Sequence, residues 1–145
     1  MGIEYRIDEA RGATFAVWDG PVTGADWLAH LKRLRLNLDW PPTRRLHLSD
    51  MREVSPDAAV DEAAIERAVE LLALEPDKIA GMKVAVVVRQ GHGRAAFFQR
   101  LFSRLRGQVM ICATLESACA WLELDPREVG PLLDQLRAQA RLRSA

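Results

Sequence analysis

The sequence predicts an α/β domain in which a mixed sheet of about five strands is flanked by helices. Three observations carry this expectation. Residues 84–88, Val-Ala-Val-Val-Val, form an unbroken apolar run, the pattern of a strand covered on both faces. On either side of it, segments with apolar residues three and four apart alternate with short strand-like segments. The 145 residues are 49% hydrophobic and 28% charged, which is the composition of a globular chain and the length of one domain spanning 1–145.

The elements follow in order. Ile3, Tyr5 and Ile7 alternate with Glu4, Arg6 and Asp8, the period of a half-buried strand. Arg11-Gly12 signals a turn into a second strand at residues 14–18, and the two form an antiparallel hairpin. Asp19-Gly20-Pro21 ends it. Thr23 and Asp26 then stand three apart, as in a capping box, before a helix whose stripe is Trp27, Leu31, Leu34 and Leu38. Pro41-Pro42 stops that helix, because proline lacks the amide donor.

Residues 45–49 give a third strand. Ser55-Pro56-Asp57 reads as an N-cap, a first-turn proline and an acid that suits the helix dipole. Ile65, Ala68, Val69 and Leu72 supply the stripe of the helix that follows. The run at residues 83–88 is placed at the middle of the sheet. After the turn Gly91-His92-Gly93 comes a helix with Phe98, Leu101, Phe102 and Leu105 at helical spacing, ended by Gly107. Residues 109–112 form the last strand. Thr114 caps a short helix with Leu115, Ala118, Cys119 and Leu122 inward, and Asp125-Pro126 opens a final one built on Val129, Leu132, Leu133 and Leu136. Its polar tail from Arg137 is expected to fray. The predicted order is β-β-α-β-α-β-α-β-α-α.

Composition narrows the functional classes. Formal net charge is zero, which removes the field on which non-specific nucleic-acid binding relies. The zero hides a segregation. Residues 50–77 carry nine acids and two bases, whereas residues 78–115 carry seven bases and no acid. These stretches are either solvated faces that neutralise each other, or the second is an anion-binding surface. Cys112 and Cys119 have neither redox nor zinc spacing and read as buried, reduced thiols. No leader-like or membrane-spanning run occurs, so a cytoplasmic location is expected, with no metal and no cofactor implied.

The opening hairpin, the strand with Asp50 at its end, the strand Lys83-Val-Ala-Val-Val-Val88 with its Arg-rich helix, and Ser117-Ala-Cys-Ala-Trp-Leu122 together resemble the STAS-like fold. This is the SpoIIAA-like architecture of anti-sigma-factor antagonists, shared in outline with CRAL-TRIO lipid carriers. The resemblance covers nearly the whole chain. It implies a non-catalytic regulatory or binding module that recognises a protein partner or a small anionic or lipid-like ligand. It also implies a phosphorylatable serine at the start of the helix after the third strand. The nearest match is Ser55, which is followed by Pro56 and by Asp57, whose charge repels a phosphate. A structural cap is its other role.

The candidate site residues cluster around one sheet edge. Gly91-His92-Gly93, between strand and helix, offers amide donors to an anion, with Arg89 and Arg94 beside it. It is no dinucleotide fingerprint, since Ala96 stands where the third glycine belongs, and no P-loop lysine follows. A tight exposed turn is the alternative. If the third and fourth strands are parallel, Asp50 and Arg52 emerge near Arg89 at the edge where open α/β sheets bind ligands. An Asp50–Arg89 ion pair is the simpler account.

A small hydrolase or transferase with His92 or Asp50 as general base is the competing function. No nucleophilic triad can be assembled, because His30, His47 and His92 fall on a helix, a strand and a turn. His47 alternates with Leu46 and Leu48 and belongs to the other face of its strand. Trp18, Trp27 and Trp121 are expected in the core, and Trp40, beside two prolines, at the surface. An edge strand at residues 3–8 could support a homodimer.

Overall fold

A computed structural model describes residues 2–56 and 60–144. The chain runs β1 (Ile3–Asp8), β2 (Ala13–Gly20), α1 (Gly24–Leu36), β3 (Leu46–Val54), α2 (Glu62–Leu72), α3 (Pro76–Ile79), β4 (Lys83–Val87), α4 (His92–Ser103), β5 (Gln108–Cys112), α5 (Leu115–Leu122) and α6 (Pro126–Ser144). This is the expected order with one short helix, α3, added before β4.

The strands form one five-stranded sheet in the order β1-β2-β3-β4-β5. β1 pairs antiparallel with β2, and every later neighbour is parallel. Because successive parallel strands step across the sheet in one direction, right-handed crossovers place their connecting helices on one face. Accordingly Trp27 and Leu31 of α1, Ile65 and Leu72 of α2, and Phe102 of α4 share a core with Val84, Val86 and Val109. The other face is reached only after β5, where α5 and α6 bury Cys119, Leu122, Leu133 and Leu136 against Phe15, Leu48, Ala85 and Val87.

The unbroken apolar run of β4 has its reason here. Val84 and Val86 serve one core while Ala85 and Val87 serve the other, and no position is left for a polar side chain. The middle strand is nevertheless β3, not β4: the hairpin adds two strands on its far side, whereas a single strand follows β4.

Several local expectations are corrected. β3 continues past Ser49 to Val54, because β2 goes on offering ladder partners, with Asp19 opposite Glu53 and Gly20 opposite Val54. Among the described residues Ser55 caps no helix; its amide donates to the Gly20 carbonyl at 2.8 Å. α2 begins later, at Glu62, with the Asp61 carboxylate accepting from the Ala64 amide at 2.8 Å. Asp57, the expected first-turn acid, lies outside the described residues. α1 ends at Leu36 with Asn37 as its C-cap, so Leu38 falls beyond the stripe and is fully exposed. The capping box of Thr23 and Asp26 is formed in both directions. The tail does not fray at Arg137: α6 runs to Ser144 and buries Ala140. Among the described residues, no helix is long and apolar enough to cross a membrane.

Candidate functional site

Between the sheet and the layer formed by α1, α2 and α4 lies a cavity of about 240 Å³. Its wall is aromatic. Trp18 and Trp27 stand 5.6 Å apart between ring centroids, Trp27 and Phe98 5.7 Å, and Phe98 and Phe102 5.3 Å, spacings at which tilted and stacked rings attract. Val84, Val86 and Val88 form the sheet side, and Gln90, Gly91 and Arg94 line the open side at the start of α4.

Gly91 makes that start possible. Its φ of 76° is left-handed, a conformation that glycine adopts without the Cβ penalty. The chain therefore turns from β4 directly into α4, leaving the exposed Arg94 at the rim.

Within this apolar enclosure sits a small group of polar side chains. His47 Nε2 and Ser49 Oγ, alternate residues on β3, are 3.0 Å apart. His30 reaches the same cavity from α1, its ring edge-on to Tyr5 at 5.4 Å. Trp40 reaches it from the segment after α1 and is 4% exposed, buried where the two prolines had suggested surface. His30 Nδ1 and Trp40 Nε1 are buried and have no hydrogen-bond partner among the described residues. Each such orphan costs about 1–3 kcal/mol.

Burial sets the charge of the histidines. It pushes His30 down to about 3, helped by His47 and Arg33, and His47 down to about 4. Both are neutral imidazoles near neutral pH, so the interior of the cavity is polar but uncharged.

The structure divides the residues that the sequence had grouped at one edge. Gly91 and Arg94 line the cavity; His92 and Gly93 are exposed in the first turn of α4 and do not. Arg89 pairs with Glu53 at 3.1 Å. Asp50 does not pair with Arg89. It lies within β3 rather than at its end and faces α6, where Arg52 Nη2 lies 2.9 Å and Arg137 Nη2 2.5 Å from its Oδ2. The reason is the strand's period of two: His47, Ser49 and Met51 face the cavity, so Asp50 and Arg52 face the opposite core. Burial raises the Asp50 carboxyl, but hydrogen bonds from Arg52 and the charges of Arg52 and Arg137 outweigh it and hold the group below the usual carboxylate range.

The segregated charges meet in part. Arg89–Glu53 and Lys78–Glu75 join the acid-rich stretch to the base-rich one. Cys112 and Cys119 are buried free thiols, and burial together with Glu116 and Asp125 pushes the Cys119 thiol up to about 11. Among the described residues, no cluster of three metal-binding side chains occurs.

Sequence reasoning missed His30, His47, Ser49 and Trp40 as a group. The one local signal was the alternation Leu46-His47-Leu48-Ser49, which elsewhere marks a strand with one wet face.

A solved structure shares this architecture over nearly its whole length. It is an uncharacterised protein of the DUF3478 family with a SpoIIAA-like fold, from Shewanella loihica PV-4. The superposition has a TM-score of 0.55 at 20% sequence identity, covering 83% of this chain and 94% of that one. The fold is SpoIIAA-like. No protein-family model and no curated protein matches the sequence, so the SpoIIAA-like likeness speaks to architecture, and function is argued from the cavity.

Proposed function

We propose that this protein is a non-catalytic binding module whose cavity takes a small, lipid-like molecule, with Arg94 at the rim favouring an anionic end. The observation that carries this reading is the half-open aromatic and aliphatic cavity that the first turn of α4 borders. Ligand sites are typically concave, mostly apolar and equipped with a few polar groups. The volume of about 240 Å³ is small. Scaled from a cavity of about 150 Å³ that holds benzene, it suits roughly ten non-hydrogen atoms.

Geometry gives the hydrolytic alternative little support. Asp50 and His92 do not share a concavity, and the Asp50 carboxylate is engaged by two guanidinium groups on the face opposite the cavity. A protein partner, the other occupant that the fold resemblance implies, would be sought at the exposed Leu36, Leu38 and Leu74, which flank the Arg35–Glu75 ion pair.

Isothermal titration calorimetry with octanoate as the probe, whose size matches the cavity, tests the reading, beside native mass spectrometry of freshly purified protein. Saturable probe binding, weakened several-fold by R94Q, is expected. An absence of both saturable binding and a co-purifying small molecule overturns it.

A further inference from the structure

The outer face of the helical layer combines exposed leucines with charges of opposite sign. Leu36 at the end of α1, Leu38 just beyond it and Leu74 just beyond α2 are 82%, 100% and 67% exposed. The Arg35–Glu75 ion pair, at 3.6 Å, holds the two helix ends side by side. One exposed leucine is ordinary, whereas a group of them marks an interaction surface. Beside them α1 exposes Lys32 and Arg33, and α2 exposes Glu62, Glu66 and Glu70 against the single base Arg67. Among the described residues, no ion pair engages Lys32, Glu66 or Glu70.

We infer that this face binds a second copy of the chain about a two-fold axis running along the helices. α1 and α2 each connect parallel neighbours of the sheet, so they run in the same direction. A two-fold rotation about a line between and parallel to them lays α1 of one copy over α2 of the other at the same level. Each basic helix then faces an acidic one, and Leu36 and Leu38 face the partner's Leu74. Every contact occurs twice, as an isologous interface requires. A two-fold axis across the helices would instead set base against base and acid against acid, which electrostatic complementarity rejects. Lys32 precedes Arg35 by three residues and Glu70 precedes Glu75 by five. With Arg35 and Glu75 at one level, Lys32 and the Glu70 it would face differ by less than about one turn along the axis. The two helices end where β3 and β4 begin, whereas Gly91 and Arg94 at the cavity rim follow the other end of β4. Pairing therefore leaves the rim uncovered, and the cavity reading stands or falls separately.

Sedimentation velocity of the full chain between about 5 and about 200 μM tests this, with circular dichroism to verify that each variant is folded. The wild type is expected to dimerise with rising concentration and L36Q/L38Q to remain monomeric. K32E alone and E70K alone each weaken self-association about tenfold, because each sets like charges together twice. An equimolar mixture of K32E and E70K recovers association to within about threefold of wild type, since the mixed pair has opposite charges at both contacts. A wild-type chain that stays monomeric throughout the range overturns the inference. So does a dimer that L36Q/L38Q leaves intact, as one joined through β1 would be, or a mixture that associates no better than its components.

Discussion

Arg137, in the last helix, places its Nη2 2.5 Å from Oδ2 of Asp50, 87 residues earlier in the chain. Asp50 is fully buried and Arg137 nearly so, and Arg52 and Asp19 extend the pair into a network. Asp50→Ala takes from Arg137 and Arg52 the carboxylate they share and is expected to cost about 3 kcal/mol in urea denaturation, whereas Arg137→Leu should cost less, because Asp50 keeps two hydrogen bonds from the Arg52 guanidinium. The double variant should lose less than the sum of the two. Additive losses would show that the pair is not coupled.

The two buried histidines predict an acid-sensitive stability. Their folded values, about 3 for His30 and about 4 for His47, lie below the unfolded value near 6.5. Between these limits the unfolded chain binds more protons, so stability is complete above about pH 6.5 and falls as pH drops through the window. From pH 7 to pH 5 each histidine accounts for about 2 kcal/mol at most. Chemical denaturation at the two pH values should show a shallower loss in H30L than in wild type. Asp50, held below its ordinary value of 3.8, contributes only at still lower pH.

Gly91 and Gly107 should respond differently to alanine. A Cβ on Gly91 meets nothing within 4 Å, so Gly91→Ala is expected to cost only the left-handed backbone penalty of about 1 kcal/mol, with asparagine better tolerated. A Cβ on Gly107 runs into the Phe102 ring, which forms part of the cavity wall. Gly107→Ala should therefore cost more in a thermal melt and also weaken probe binding.

Thr23→Ala removes one half of the α1 capping box, at a cost of about 1 kcal/mol. Thr23 does not line the cavity, so probe affinity in this variant should equal that of wild type. A change would mean that the placement of His30 depends on the cap.

Much of the fold was legible because it is written in local periodicity. The Thr23 cap, the stripe of Trp27, Leu31 and Leu34, and the doubly covered run of β4 each follow from residues within a few positions of one another. The candidate site was less legible. Gly91 and Arg94 were found because a glycine turn before a helix is a local signal. Asp50 was assigned to the wrong neighbourhood, because a charged residue in the middle of β3 looks like a strand end until Arg137 covers it.

The sequence by itself determined the order of elements apart from α3, and the hairpin, since these depend on local spacing; that β2 to β5 run parallel, and hence which helices share a face, was decided by the tertiary structure. Only the tertiary structure decided that His30, His47, Ser49 and Trp40 line one cavity while Asp50 lies behind the sheet. Which face of a strand is buried, and by what, depends on helices dozens of residues away. Polar alternation in β3 is the same whether that face meets water or a covered cavity.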